Sequence, residues 1–149
     1  MSQIYYYGYK FLIDETPMAS LPNDWTRTDF FRKNCFIPEE IIIELENNPN
    51  LELEELKKNK IPVTYNILCK LVLVMAQAKI VKLYQNEGNG DALIIATALA
   101  MKDQEDTRLL KNEWIIVTCD RGVASLAKNF AIKSIKKEEF YDIMRKNLV

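Results

Sequence analysis

The sequence predicts an α/β domain, a three-layer α/β/α sandwich around a central, mostly parallel sheet. Three observations predict it. Short apolar runs of strand length (Tyr9–Ile13, Trp114–Thr118, Ala131–Ile135) alternate with longer segments of helical periodicity. Strands separated by helices imply parallel pairing, with both faces of the sheet covered. The 149 residues, free of repeats, low-complexity tracts and Pro/Gly/Ser linkers, suit one domain spanning residues 1–149.

Taken in order, Tyr9–Ile13 is a short apolar strand with Asp14 directly after it. Pro17, Pro22 and Asn23-Asp24 predict a loop, and Thr28–Lys33 a short helix. Phe36 and Ile37 lead into Pro38, a favoured first helical residue, so Glu39–Asn47 reads as a helix that Asn48-Pro49 ends. Leu51–Lys58 follows as a second, more exposed helix, and Ile61–Tyr65 as a brief strand. Asn66–Tyr84 is a long apolar helix marked by Leu68, Leu71, Val72 and Met75. Gly88-Asn89-Gly90 breaks the chain before a helix over Asp91–Lys102, whose Ile94, Ile95, Ala98 and Leu99 recur at helical spacing. Trp114–Thr118 is the clearest buried strand, and Asp120 follows it. Arg121–Asn129 reads as helix, Ala131–Ile135 as strand and Lys137–Lys146 as the closing helix.

Composition narrows the chemistry. With 48% apolar and 28% charged residues in 17.4 kDa, the chain has the balance of a globule rather than a disordered segment. Its longest apolar stretches, Leu71–Ala76 and Ala92–Met101, fall far short of the ~20 residues of a membrane span. The first residues carry no basic n-region or cleavage motif, so a cytoplasmic location is expected. There is no histidine. That removes Ser-His-Asp and Cys-His catalysis, histidine acid–base ribonucleases, haem and nearly every catalytic zinc site. Cys35, Cys69 and Cys119 are far apart and odd in number, so reduced, mostly buried thiols are expected rather than a disulfide framework or a thiolate metal site. Any chemistry must rest on carboxylates.

The 20 basic and 21 acidic residues are unevenly placed. From Arg121 onward seven basic residues meet three acidic ones, a tail of +4 on a body of −5. An acidic body with a basic C-terminal segment permits a polyanionic substrate without requiring one.

In an open parallel sheet, sites form beyond the carboxyl ends of the strands. Asp14 and Asp120 each follow a strand and should share that rim. Each also has an ordinary reading, Asp14 as turn chemistry and Asp120 as the N-cap of the helix it precedes. Asp91 stands three, four and seven residues before Ile94, Ile95 and Ala98 and so shares their stripe, in a first turn that favours negative charge; a solvent-facing first-turn acid is the competing reading. Glu44, three residues after Ile41 and beside Leu45, repeats the pattern, while Glu39, Glu40 and Glu46 have more outward options. A carboxylate beside an apolar stripe is costly unless something positive meets it. Several aimed at one rim repel unless a cation lies between them, and an all-oxygen site suits Mg²⁺ or Mn²⁺.

Four motifs in order carry a family resemblance: Asp14 ending the first strand; Phe36-Ile37-Pro38 followed by Glu44-Leu45; Gly90-Asp91-Ala92-Leu93-Ile94-Ile95-Ala96; and Val117-Thr118-Cys119-Asp120-Arg121. Together they resemble PIN-domain nucleases, from about Tyr9 to Ile135. The resemblance implies a metal-dependent endoribonuclease in which Asp14, Glu44, Asp91 and Asp120 form a catalytic, metal-binding quartet for Mg²⁺ or Mn²⁺. Thr118 matches a hydroxyl that supports the metal or its water, and Glu87 an acid that some members add. RNA is the implied substrate, gripped by Arg121 and Lys128, with Lys10 and Arg32 as further candidates near the rim. Many stand-alone members are toxins paired with a small antitoxin protein, often as homodimers. One departure stands out: the family usually has Thr, Ser or Asn directly after the first acid, where this chain has Glu15. Two alternatives follow from the same residues. One is a catalytically degenerate PIN domain that binds RNA or protein. The other is a receiver-like phosphoacceptor domain using Asp14-Glu15 and Asp120.

Overall fold

The computed structural model describes the backbone of residues 8–85 and 90–148 and the side chains of 8–77 and 92–148. It is an α/β/α sandwich built on five parallel strands in the order β3-β2-β1-β4-β5. These are β1 (Tyr9–Ile13), β2 (Cys35–Pro38), β3 (Lys60–Ile61), β4 (Glu113–Val117) and β5 (Lys133–Ile135). The helices are α1 (Glu15–Ala19), α2 (Asn23–Thr26), α3 (Asp29–Asn34), α4 (Glu39–Leu45), α5 (Leu53–Leu56), α6 (Tyr65–Gln85), α7 (Gly90–Glu105), α8 (Arg121–Asn129) and α9 (Lys137–Lys146). A 3₁₀ turn, Lys57–Asn59, joins α5 to β3.

Strand side chains alternate between the two faces, and here both faces are apolar. Phe11, Ile13, Ile115, Val117 and Ile135 point to a core closed by Met18, Phe31, Leu45 and Phe140 of α1, α3, α4 and α9. Leu12 and Ile116 point to the other, closed by Ile67, Val74, Ile94, Ile95, Ala98 and Val123 of α6, α7 and α8. That the inner strands are solidly apolar is the consequence of this double coverage.

Three readings of the sequence are corrected. The stretch predicted as loop around Pro17 and Pro22 holds α1 and α2; Pro17 is the third residue of α1, where its missing N–H had no intrahelical partner to lose. Residues 35–38 form a strand rather than a mere lead-in to a helix, pairing with β1 through Phe11 opposite Cys35 and Leu12 opposite Phe36. The thiols are not mostly buried: Cys35 is, but Cys69 and Cys119 are exposed, and all three are free. Among the described residues no helix is long and apolar enough to cross a membrane.

The chain runs outward from β1 to β2 and β3, then returns to place β4 on the other side of β1. The strand order therefore reverses between β1 and β4, and open α/β sheets form their crevice beyond the carboxyl ends at such a point. This order also differs from the 2-1-3-4-5 order of receiver-like domains, which counts against that alternative.

Candidate active site

β1 and β4 run in register from Tyr9 opposite Glu113 to Ile13 opposite Val117. The next residues, Asp14 and Thr118, therefore emerge side by side at the switch point. The backbone ladder extends over them, with the Asp14 N–H donating to Val117 O (2.9 Å) and the Thr118 N–H to Ile135 O (3.0 Å). The buried Thr118 hydroxyl donates to Asp14 Oδ2 (2.8 Å) and accepts from the Asp120 N–H (3.1 Å), which ties the two predicted acids through one group. Asp14 Oδ1 accepts from the Glu15 N–H (2.8 Å) and caps α1. Asp120 Oδ1 accepts from the N–H groups of Gly122 (2.7 Å) and Val123 (3.3 Å) and caps α8. The capping reading of Asp120 holds together with its place on the rim, and Asp14, read from the sequence as turn chemistry, is also a cap.

α4 brings further carboxylates to Asp14. Its Ile41, Ile42 and Leu45 are buried, which fixes the orientation of the helix and sets Glu40 and Glu44 one turn apart on one side. The Glu44 carboxyl is pushed up to about 7 by loss of solvation, a hydrogen bond with the Glu15 carboxyl, and the charges of Glu15, Asp14 and Glu40. Glu15, the departure from the family pattern, thus lies against Glu44 at the exposed edge of the site. Glu40 is the residue that sequence reasoning missed. Both its oxygens are shut off from solvent and lack a hydrogen-bond partner among the described residues. Burial, helped by the charges of Glu39 and Asp14, raises its pKa, and the pull of its own backbone amide offsets this only in part. The available signal was the four-residue spacing to Glu44. Glu39 does turn away, its Oε2 accepting from the Val63 N–H (2.8 Å). Among the described residues, none of Asp14, Glu15, Glu40, Glu44 and Asp120 is in an ion pair.

Asp91 is placed by its helix alone. α7 ends at the amino edge of the sheet, where Glu105 accepts from the Asn112 N–H (2.7 Å) just before β4 begins. Sixteen residues at ~1.5 Å each carry α7 back about 24 Å, past the length of a five-residue strand, so its first turn lies at the carboxyl rim. The side chain of Asp91 lies outside the described residues, as does Glu87 altogether. Arg121 is exposed on the first turn of α8 beside Asp120, whereas Lys128 sits in the last turn, at the far end of that helix. Lys10 and Arg32 are also remote from the rim. Lys10, near the amino end of β1, donates to Lys33 O (2.6 Å) and lies over the Phe36 ring, and Arg32 pairs with Glu55 at 2.7 Å.

Among the described residues, no three acidic or cysteine side chains are arranged as they stand to hold a metal ion. The donor set is nonetheless the one a hard dication takes, carboxylate and hydroxyl oxygens. The unpartnered oxygens of Glu40 and the raised pKa of Glu44 mark where positive charge is lacking. No protein-family model matches the chain, and no curated protein matches it.

Proposed function

We propose that the chain is a divalent-metal-dependent endoribonuclease of the PIN kind. The observation that carries the reading is the gathering of Asp14, Glu15, Glu40 and Glu44 around the switch point with no cation paired to any of them among the described residues, so that Glu44 ionises only near pH 7. Isolated carboxylates do not collect in this way without a positive partner. Asp14, Glu44, Asp91 and Asp120 would hold Mg²⁺ or Mn²⁺. When bound, such an ion lowers the pKa of a water and offsets charge on the phosphate and on the departing 3′ oxygen.

The chain's own residues prepare that chemistry. Thr118 and the Glu15 amide fix the Asp14 carboxylate so that it need not reorganise. The Gly122 and Val123 amides fix Asp120. Glu44, raised to about 7, gives up its proton near neutral pH and so gains the charge a cation needs. Arg121, next to Asp120, is placed to bind a backbone phosphate of single-stranded RNA, a contact that salt weakens. By the family resemblance the products carry a 5′ phosphate and a 3′ hydroxyl, and a toxin paired with a small antitoxin is one setting for such an enzyme.

The degenerate alternative draws on one observation, the Glu15 carboxyl occupying Glu44. It predicts RNA binding without cleavage. Incubating the protein with single-stranded RNA in EDTA, Mg²⁺ or Mn²⁺ separates the two. The nuclease reading expects cleavage only with metal, abolished in Asp14→Asn and Asp91→Asn variants that stay folded. Cleavage that survives EDTA, or that both variants retain, overturns it.

A further inference from the structure

We propose that a cleft at the amino edge of the sheet binds a compact polyphosphate anion, the phosphate chain of a nucleotide or a free one, through Lys10, Lys33 and Lys111. β1, β2 and β4 are parallel neighbours, so the residues that lead into them come together at the edge opposite the acidic rim. Lys10 stands on β1, Lys33-Asn34 directly before β2, and Lys111-Asn112 directly before β4. Hydrogen bonds hold the two incoming segments: Asn34 Nδ2 donates to Tyr9 O (2.8 Å), and the Asn112 N–H to the buried Glu105 carboxylate (2.7 Å). Between them lies a cleft of about 550 Å³. Its lining includes these five lysine and asparagine residues and Leu110, and no acid is among the described ones.

Charge and size identify the ligand. Lys10 is half-buried, and among the described residues its Nζ meets no carboxylate, only Lys33 O (2.6 Å) and the Phe36 ring. Burial pushes its pKa below the ordinary lysine value, the Glu105 charge opposing and the Arg108 charge assisting. It is an ammonium short of a counter-charge. Lys33 and Lys111 pair with Asp29 (3.0 Å) and Asp106 (3.6 Å), but these pairs are exposed and hold weakly, so both amines can turn to a ligand. Three ammonium groups around one concave space concentrate positive potential where a single anion of two or more charges meets all of them. The volume is that of an ordinary small-molecule site, and Leu110, 80% exposed, offers an apolar wall to a nucleoside. A long polyanion fits less well, because Asp29 and Asp106 stand at the margin and repel its next phosphates. Lys10 and Asp14 lie four residues apart along β1, roughly 13 Å, so the cleft is separate from the rim and independent of whether the rim cleaves RNA.

Calorimetric titration of the full chain with ATP and with sodium tripolyphosphate, in EDTA to keep metal from the rim, tests this. Wild type should bind at least one of them saturably at a single site. Lys10→Met and Lys33→Gln should each weaken that binding about tenfold or more, with unchanged circular dichroism. Lys111→Gln should do the same, and because its side chain is exposed it keeps the test valid should Lys10→Met fail to fold. ATP bound tenfold more tightly than tripolyphosphate assigns the nucleotide; tripolyphosphate bound as tightly or more so assigns the phosphate chain alone. No binding of either, binding that these variants leave intact, or binding that Arg121→Gln removes instead overturns the proposal. So does a cleft that takes single-stranded RNA but neither small anion. Failure here leaves the nuclease reading standing, and a rim inert towards RNA leaves the anion site standing.

Discussion

Replacing Glu44 by glutamine isolates the repulsion at the rim. Loss of solvation, the hydrogen bond with Glu15 and the charges of Glu15, Asp14 and Glu40 lift the Glu44 carboxyl from 4.5 to about 7. At about 1.36 kcal/mol per pKa unit, ionising it against that opposition would cost about 3 kcal/mol without screening. Glu44 is exposed, however, and solvent and salt reduce the cost to about 1 kcal/mol. The sign follows from proton binding. Between its ordinary value and about 7 the native state holds a proton that the unfolded chain has released, so the stability it contributes is full at low pH and is lost as pH rises through about 7. In EDTA at pH 8, Glu44→Gln should therefore unfold with about 1 kcal/mol more stability than wild type, about 3 °C in Tm for a chain of this size. At pH 4 the two should coincide. Urea and thermal unfolding at both pH values measure the difference. A variant no more stable at pH 8, or a gain of equal size at pH 4, refutes the reasoning.

Three further outcomes are expected. Thr118→Val keeps the shape of a buried side chain but leaves Asp14 Oδ2 and the Asp120 N–H unpaired, so stability should fall by about 1–2 kcal/mol and metal-dependent RNA cleavage by about tenfold or more, read from urea unfolding and initial rates. Asn59 is buried and donates through Nδ2 to the carbonyls of Phe31 (3.0 Å), Arg32 (3.2 Å) and Cys35 (2.6 Å), tying α3 and β2 to the edge of the sheet. Asn59→Ala should cost about 2–3 kcal/mol in urea unfolding, with no dependence on metal. Glu105 behaves oppositely to Glu44. Burial alone would raise its pKa, but the hydrogen bonds from Asn112, the Arg108 charge and Trp114 hold it below the ordinary value. Its contribution is present above the unfolded carboxylate value and lost on acidification, so Glu105→Gln should destabilise the protein at pH 7 and have little effect at pH 3, as thermal unfolding at the two values would show.

The layered α/β architecture was legible because its signals are local. Tyr9–Ile13 carries five strand residues in a row, Arg121–Asn129 and Lys137–Lys146 have wet and dry faces of their own, and the structure has these elements at those bounds. What was hidden depends on distant partners. Cys35–Pro38 is four residues between two helices, and only its ladder to β1 makes it a strand. Leu68, Val72 and Met75 have the spacing of a core stripe, yet they are exposed; Ile67 and Val74 occupy the side that α7 covers. At the site, Asp14 and Asp120 were placed on the rim from position alone, because a strand's end is a local fact, whereas Thr118 entered only through the family resemblance. Glu40 was passed over because its four-residue spacing to Glu44 does not by itself say whether α4 turns it towards Asp14 or towards water.

The claim on which the account rests is that these carboxylates need a dication. Calorimetric titration with Mn²⁺ at neutral pH measures it directly. Wild type should bind saturably with release of protons, and Asp14→Asn should lose that binding while remaining folded. No binding to wild type, or binding that Asp14→Asn leaves intact, would contradict it.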